Sequence, residues 1–247
     1  AGSAPGKTNL MAARAVRELG GSVDSISVAA AGRNLDPPDG MAFPYAVRTL
    51  IAEITQPPMA LTDGRPRELE PMSAGPRVDF GDPIGEAETI FTLHSEVLTF
   101  GDSFGAKQVT FALSLSPEVL KLLGELAEAS EERVAEAARS ASPPSPNTIS
   151  AHVVEAASGE RMLRVASVTP PHKGWGLGGG IVSTGSVAAA AVRLLARGRI
   201  DATGALPPEL CIEPDEMFRE LETRGVRVEV GEIGEARPEL FENEVAR

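Results

Sequence analysis

Cysteine is all but absent from this 247-residue chain, in which Cys211 stands alone. One thiol closes no intrachain disulfide, so nothing points to an oxidising compartment and the cytoplasm is the expected location. Aromatic residues make up 4% of the chain, too few for base-stacking platforms or a carbohydrate-binding surface. The three histidines, His94, His152 and His172, have no metal-ligating partner at i+3 or i+4, so no metal site is expected. Basic residues are scarce as well. With 23 Lys and Arg against 35 Asp and Glu, the net charge of −12 repels phosphate backbones and anionic membrane surfaces. Neither nucleic acid nor a membrane is an expected partner, and no apolar run is expected to reach the roughly 18–20 residues of a membrane span.

What is present is a hydrophobic share of 42%, in a chain long enough to bury a sizeable core. Thr8 is placed to cap a helix running to Leu19, which Gly20-Gly21 stops. Ser25 to Ala30 reads as a strand, Gly32 to Pro44 as a loop, and Tyr45 to Ile54 as a short helix ended by Pro57-Pro58. Asp63-Gly64 predicts a tight hairpin between Met59 and Glu70. Alternation over Glu88 to Phe100 predicts a strand with Ile90, Thr92, His94, Glu96 and Leu98 on one face. Ser116-Pro117-Glu118 opens a helix, Glu131 to Arg139 continues or restarts it, and Ser140 to Pro146 reads as a linker or long surface loop. A hairpin is expected about Ser158-Gly159, then helices at Ser186 to Ala196 and Asp215 to Thr223, then a strand at Val226 to Val230. No internal repeat is found.

Two glycine-bearing strings compete for a nucleotide. Ala1, four residues, then Gly6-Lys7-Thr8 fits a loosened phosphate loop, although Pro5 removes an N–H donor and no later apolar run ends in a clear magnesium-holding Asp. Gly174-Trp175-Gly176-Leu177-Gly178-Gly179 contains the dinucleotide fingerprint G-x-G-x-x-G, with Asp201 near the position of a ribose-binding acid. Against it, Pro170 to Lys173 separates the strand from the glycines, and Gly198 to Gly204 is too short and polar for the second parallel strand that should present the acid. The alternative is a mobile glycine loop.

Ser3-x-Pro5-Gly6-x-Thr8-Asn9-Leu10, leading into an Ala-rich helix, resembles the segment by which saccharopine dehydrogenase-like oxidoreductases cross from the Rossmann domain into the second domain. Phe91-Thr92-Leu93-His94-Ser95-Glu96 is similar to that family's His-x-Glu strand. Gly185 to Gly198, Gly204-Ala205-Leu206-Pro207-Pro208-Glu209 and the helix from Asp215 are similar to its C-terminal signature. The likeness runs in order along the whole chain. It implies an α+β domain, with a mixed, largely antiparallel sheet and helices mainly on one face. It also implies a preceding Rossmann domain that this sequence lacks and that would hold most of an NAD or NADP cofactor. Residues 1–231 are expected to form the substrate-binding and dimerisation domain, and 232–247 an acidic tail.

What the resemblance implies is hydride transfer at a C–N bond of an amino-acid or polyamine-like substrate, with the protein supplying orientation and a proton relay. The parent is expected to be a homodimer, and this chain alone inactive. Ser3, Pro5, Gly6 and Asn9 are the expected substrate or cofactor site, because free N–H groups at a helix start favour a carboxylate or carboxamide. A mere interdomain turn with a capping Thr8 is the alternative. His94 and Glu96 are the expected catalytic pair, the carboxylate holding an imidazole for proton transfer, against a histidine simply bonded to backbone. Lys173 and Trp175 are expected to close over an anionic substrate, with Arg33 and Arg77 as further carboxylate clamps by residue type. Two other readings remain open: a non-catalytic scaffold with this fold, and a phosphate-loop nucleotide-binding protein.

Overall fold

A computed structural model describes residues 1–37, 41–142 and 145–233. Helix α1 (Lys7–Glu18) leads into the long strand β1 (Ser25–Asn34) and helix α2 (Val47–Thr55). The hairpin β2 (Met59–Thr62) and β3 (Arg65–Glu68) follows, then the two-residue strands β4 (Val78–Asp79), β5 (Glu86–Ala87) and β6 (Ile90–Phe91). Next come α3 (Glu96–Phe104), β7 (Gln108–Ser114), α4 (Pro117–Ala127) and α5 (Glu131–Ser140). The chain closes with β8 (Thr148–Ser158), β9 (Arg161–Thr169), α6 (Gly179–Ala196), α7 (Pro214–Glu222) and β10 (Glu229–Ile233).

The main sheet has the order β10-β9-β8-β1-β7-β2-β3, with β6 beside β7. Only the β1–β7 pair is parallel, and every other pair in it is antiparallel. Period-two alternation divides its faces. Ile26, Val28 and Ala30 of β1 point into the principal core, with Val109 and Phe111 of β7, Val154 of β8, and Met11, Ala15, Leu50, Phe100 and Leu123 from the helices above. Ala29 and Ala31 face the other way with Ala151 and Val153, where Phe80 beside the β4–β5 pair covers them. The architecture is therefore α+β, with a mixed, mostly antiparallel sheet and its helical layer on one face, as expected.

Local turn chemistry accounts for many of the boundaries. Gly20 and Gly21, at φ 103° and 100°, stop α1, and Asp63 and Gly64, at φ 51° and 71°, turn the β2–β3 hairpin. Ser116 Oγ accepts from Val119 N at 3.3 Å, which caps α4 and is worth about 1 kcal/mol.

Four expectations need correction. The alternating stretch around His94 is not one strand: only Ile90–Phe91 pairs with β7, and α3 starts at Glu96. Helix signals outweigh the short alternation, namely an acid in the first turn and Gly105 at φ 70° as the stop. Strand β1 continues through Gly32 to Asn34 rather than ending at Ala30, because β8 pairs with it along all ten residues. The helix expected from Ser186 begins at Gly179, which gives 18 residues apolar enough by length and composition to cross a membrane. Its Val182, Val187, Ala190 and Leu194 instead pack in a small core with Met217 and Leu221 of α7. Finally, Glu232 and Ile233 belong to β10, and the rest of the expected tail lies outside the described residues.

Candidate substrate site at the leading turn

The turn before α1 closes on itself. Gly2 N donates to Pro5 O at 2.8 Å, Lys7 N to Gly2 O at 2.9 Å and Thr8 N to Ser3 O at 3.0 Å. Gly6, at φ 138°, is the residue before the helix, and its N–H donates to Asn9 Oδ1 at 2.6 Å. A Cβ at Gly6 would lie 2.2 Å from Gly2 O, so close backbone approach requires glycine here. The Ala4–Pro5 peptide is cis. These bonds correct two expectations. The N–H groups of Gly6, Lys7 and Thr8 are already engaged, so they offer no anion cradle, and Thr8 lies inside the helix rather than capping it.

Thr8 has another task. Its hydroxyl donates to Glu96 Oε1 at 2.7 Å, while Glu96 Oε2 meets His94 Nδ1 at 2.5 Å. Glu96 is fully buried, and the His94 ring stacks on Phe111 with centroids 3.7 Å apart and planes 7° from parallel. The imidazole is thus fixed by a carboxylate on one nitrogen and an aromatic face below, with 14% of its side chain still reachable. Such a bond assigns the proton on Nδ1 to the Glu96 side and leaves Nε2 for exchange. Sequence reasoning found the pair but placed it on the wrong element: the two side chains meet across the entry to α3.

Asn9 reaches outward as well, donating from Nδ2 to Glu209 Oε2 at 2.8 Å, and Ser103 Oγ holds the other oxygen of Glu209 at 3.0 Å. Ser3 Oγ donates to Ser183 Oγ at 2.6 Å and accepts from Thr184 Oγ1 at 3.3 Å, which ties the turn to the first part of α6. Ser3, Gly6, Asn9, His94 and Glu96 therefore belong to one connected neighbourhood, with Pro5 in the same turn. Lys173 and Trp175 lie on the 3-10 turn Lys173–Trp175, where Trp175 is 52% exposed and stacks on His172 at 3.8 Å. Among the described residues, no hydrogen bond joins that turn to the neighbourhood. Arg33 donates to Pro83 O, and Arg77 pairs with Glu86 at 3.1 Å on the far face, so neither has the site's neighbours.

Beneath the turn lies a group that sequence reasoning missed. Lys7 is fully buried, and its Nζ donates to Ser167 Oγ at 3.0 Å, while Ser167 donates to Arg227 O at 2.7 Å. Burial lowers the Lys7 pKa to about 7. His152 stands opposite Ser167 in the β8–β9 register, 5% exposed and with Nδ1 unpartnered among the described residues. Its pKa falls well below the ordinary value, by burial first and then by the charges of Lys7 and His94. A signal was available in the inward alternation of Ser150, His152, Val154 and Ala156 along β8, which puts His152 on the helix-covered face.

The glycine run is also resolved. Gly178 and Gly179 seat α6 on the sheet: a Cβ at Gly179 would fall 2.1 Å from Thr169 O and 2.9 Å from Ser150 N. It is a packing device, not a mobile loop. β9 runs antiparallel to both its neighbours, so no second parallel strand presents Asp201 to a ribose, and the dinucleotide reading of this string fails. The phosphate-loop reading fails for a related reason, since Lys7 points into the core and the N–H groups after it are spent inside the turn.

A solved structure of apo histidine-tagged saccharopine dehydrogenase (L-Glu forming) from Saccharomyces cerevisiae superposes with a TM-score of 0.61 at 15% identity, over 92% of this chain and 71% of that one. The chain has a saccharopine dehydrogenase-like fold. No protein-family model matches the chain, and no curated protein matches it in sequence.

Proposed function

We propose that this chain is the substrate-binding part of an NAD(P)-dependent oxidoreductase of the saccharopine dehydrogenase-like type, acting at a C–N bond of an amino-acid or polyamine-like substrate. The observation that carries the reading is the Thr8–Glu96–His94 chain of hydrogen bonds, set at the leading turn of a dehydrogenase-like fold. The cofactor, held mainly by another domain, supplies the hydride acceptor or donor. In keeping with that division, the N–H groups of Gly6, Lys7 and Thr8 and the Gly178–Gly179 pair are taken up by the fold itself and leave no diphosphate cradle.

The residues of this chain orient the substrate and move its proton. His94 exchanges the proton of the substrate nitrogen through Nε2, while Glu96 holds Nδ1–H and stabilises the imidazolium. Thr8 fixes the carboxylate, and so positions the relay without touching substrate. Ser3, Pro5, Gly6 and Asn9 form the substrate or cofactor side at the leading turn, and Lys173 and Trp175 close over an anionic substrate from the separate 3-10 turn. The same reading makes the protein a cytoplasmic homodimer and the isolated chain inactive.

The test uses the full polypeptide that the native reading frame encodes. Calorimetry is expected to show binding of NADPH or NADH. Nicotinamide absorbance with a panel of secondary amines and imines derived from amino acids and polyamines is expected to show turnover, which His94→Gln lowers on the order of 10²–10³-fold. Absence of dinucleotide binding would sink the oxidoreductase reading and leave the non-catalytic scaffold.

A further inference from the structure

Lys7 is a buried amine that the fold leaves without a counter-ion. Its one side-chain partner is Ser167 Oγ, and no carboxylate among the described residues pairs with it. An ammonium offers several donors, so donors are left over. The groups around it lack partners as well. Ser167 already donates to Arg227 O, and His152 stands opposite Ser167 with Nδ1 unpartnered. Thr169, two residues further on the same face of β9, is fully buried with Oγ1 unpartnered. The acid of this neighbourhood, Glu96, is taken up by Thr8 and His94. If packing were the only task of Lys7, a methionine would fill a similar volume without burying a titratable group.

From this arrangement we infer that Lys7, His152 and Thr169 form the seat of a ligand carboxylate, reached past His94. The inference rests on the function proposed above and deepens it: it selects amines derived from amino acids over polyamines, which bring no anion. A carboxylate supplies the acceptors that this cluster lacks. It accepts from the Lys7 ammonium, from His152 with its proton on Nδ1, and from the Thr169 hydroxyl, and bonds to a charged partner are the stronger kind. His152 lies within electrostatic reach of both Lys7 and His94, which puts the seat inward of the proton relay, while His94 keeps 14% of its side chain reachable at the mouth. Entry requires the leading turn to part from α6, to which hydroxyl bonds tie it, Ser3 to Ser183 at 2.6 Å and Thr184 to Ser3 at 3.3 Å. Neutral bonds of this kind contribute little net stability, so ligand binding can offset their loss. Above its pKa of about 7 the Lys7 amine is neutral, and an arriving anion draws a proton onto it from solvent.

Calorimetry on the 247-residue chain at about pH 8.5, in two buffers of unequal ionisation heat, tests this with glutarate as the dicarboxylate probe and spermidine as the probe without an anion. Glutarate is expected to bind with uptake of about one proton, and Lys7→Met to abolish that uptake and weaken binding roughly ten-fold or more. Thr169→Val is expected to weaken binding a few-fold while its urea unfolding midpoint stays level or rises, which separates loss of the seat from loss of the fold. If glutarate does not bind, or binds Lys7→Met as it binds the parent chain, the inference is overturned. Sulfate or chloride drawing the same proton onto Lys7 would make the cluster an unselective anion hole and overturn it equally. Tight spermidine binding that Lys7→Met leaves intact would overturn the choice of substrate class. The function is judged apart from the seat. A polypeptide that binds NADPH yet fails these tests keeps the oxidoreductase reading and loses the seat, whereas a Lys7-dependent carboxylate site without dinucleotide binding keeps the seat and leaves a binding protein.

Discussion

Two glycine-bearing strings, each leading into a helix, look alike in sequence and behave differently in the fold. At the leading turn, glycine serves a backbone that folds against itself, with Gly6 at φ 138° pressed on Gly2. At the later run, glycine serves a helix that lies flat against a sheet, with Gly179 over Thr169 O. In both places the missing Cβ admits protein rather than a phosphate. A glycine motif therefore identifies close approach, and only the third dimension names what approaches.

The comparison is broken most severely by filling both contacts. Gly6→Ala and Gly179→Ala are each expected to cost about 3 kcal/mol or more, because the new methyl meets backbone that cannot swing aside. Urea unfolding measures this, and an unchanged midpoint for either would show that its close contact is not real. Within the leading turn, Thr8→Val removes the donor to a buried carboxylate and is expected to cost about 2 kcal/mol in the same assay, whereas Thr8→Ser should retain most of the stability.

Lys7 gives the next effect, which depends on pH. Between a folded value of about 7 and an ordinary value of 10.5, the unfolded chain carries the proton and the folded chain does not. Stability therefore rises with pH across that window, by about 1.4 kcal/mol per pH unit from this group, and Lys7→Met is expected to flatten the rise. His152, held below its ordinary value, acts with the same sign at lower pH, so acidification through that value lowers stability. The smallest change sharpens the comparison at the glycine run. Gly180 faces open space on the first turn of α6, so Gly180→Ala is expected to stabilise by about 0.5–1 kcal/mol, opposite in sign to its neighbour Gly179.

The parts of the fold legible in the sequence are those set by neighbours along the chain. Gly20-Gly21, Asp63-Gly64, Ser116-Pro117 and Ser158-Gly159 each mark a stop, a turn or a start within two residues of where the structure has it. The His94–Glu96 pair was legible as a pair, because both chemistries stood two residues apart. Its element was not, since four apparent alternations before Phe100 weighed less than the capping signals of α3. Least legible was Lys7. Its burial depends on Ser167, 160 residues away, and a lysine beside a glycine on paper suggests a phosphate rather than a core. The antiparallel run of β9 beside β10, which removes the dinucleotide reading, likewise depends on pairing that no local pattern reveals.

The burial of Lys7 also makes it a natural clock for the molecule. An amine sealed beneath the first helix meets an acylating reagent only when the structure around it opens. Lys107, Lys121 and Lys173, on the surface, would be modified at once. The lag before Lys7 follows them measures how often the entrance to the domain opens.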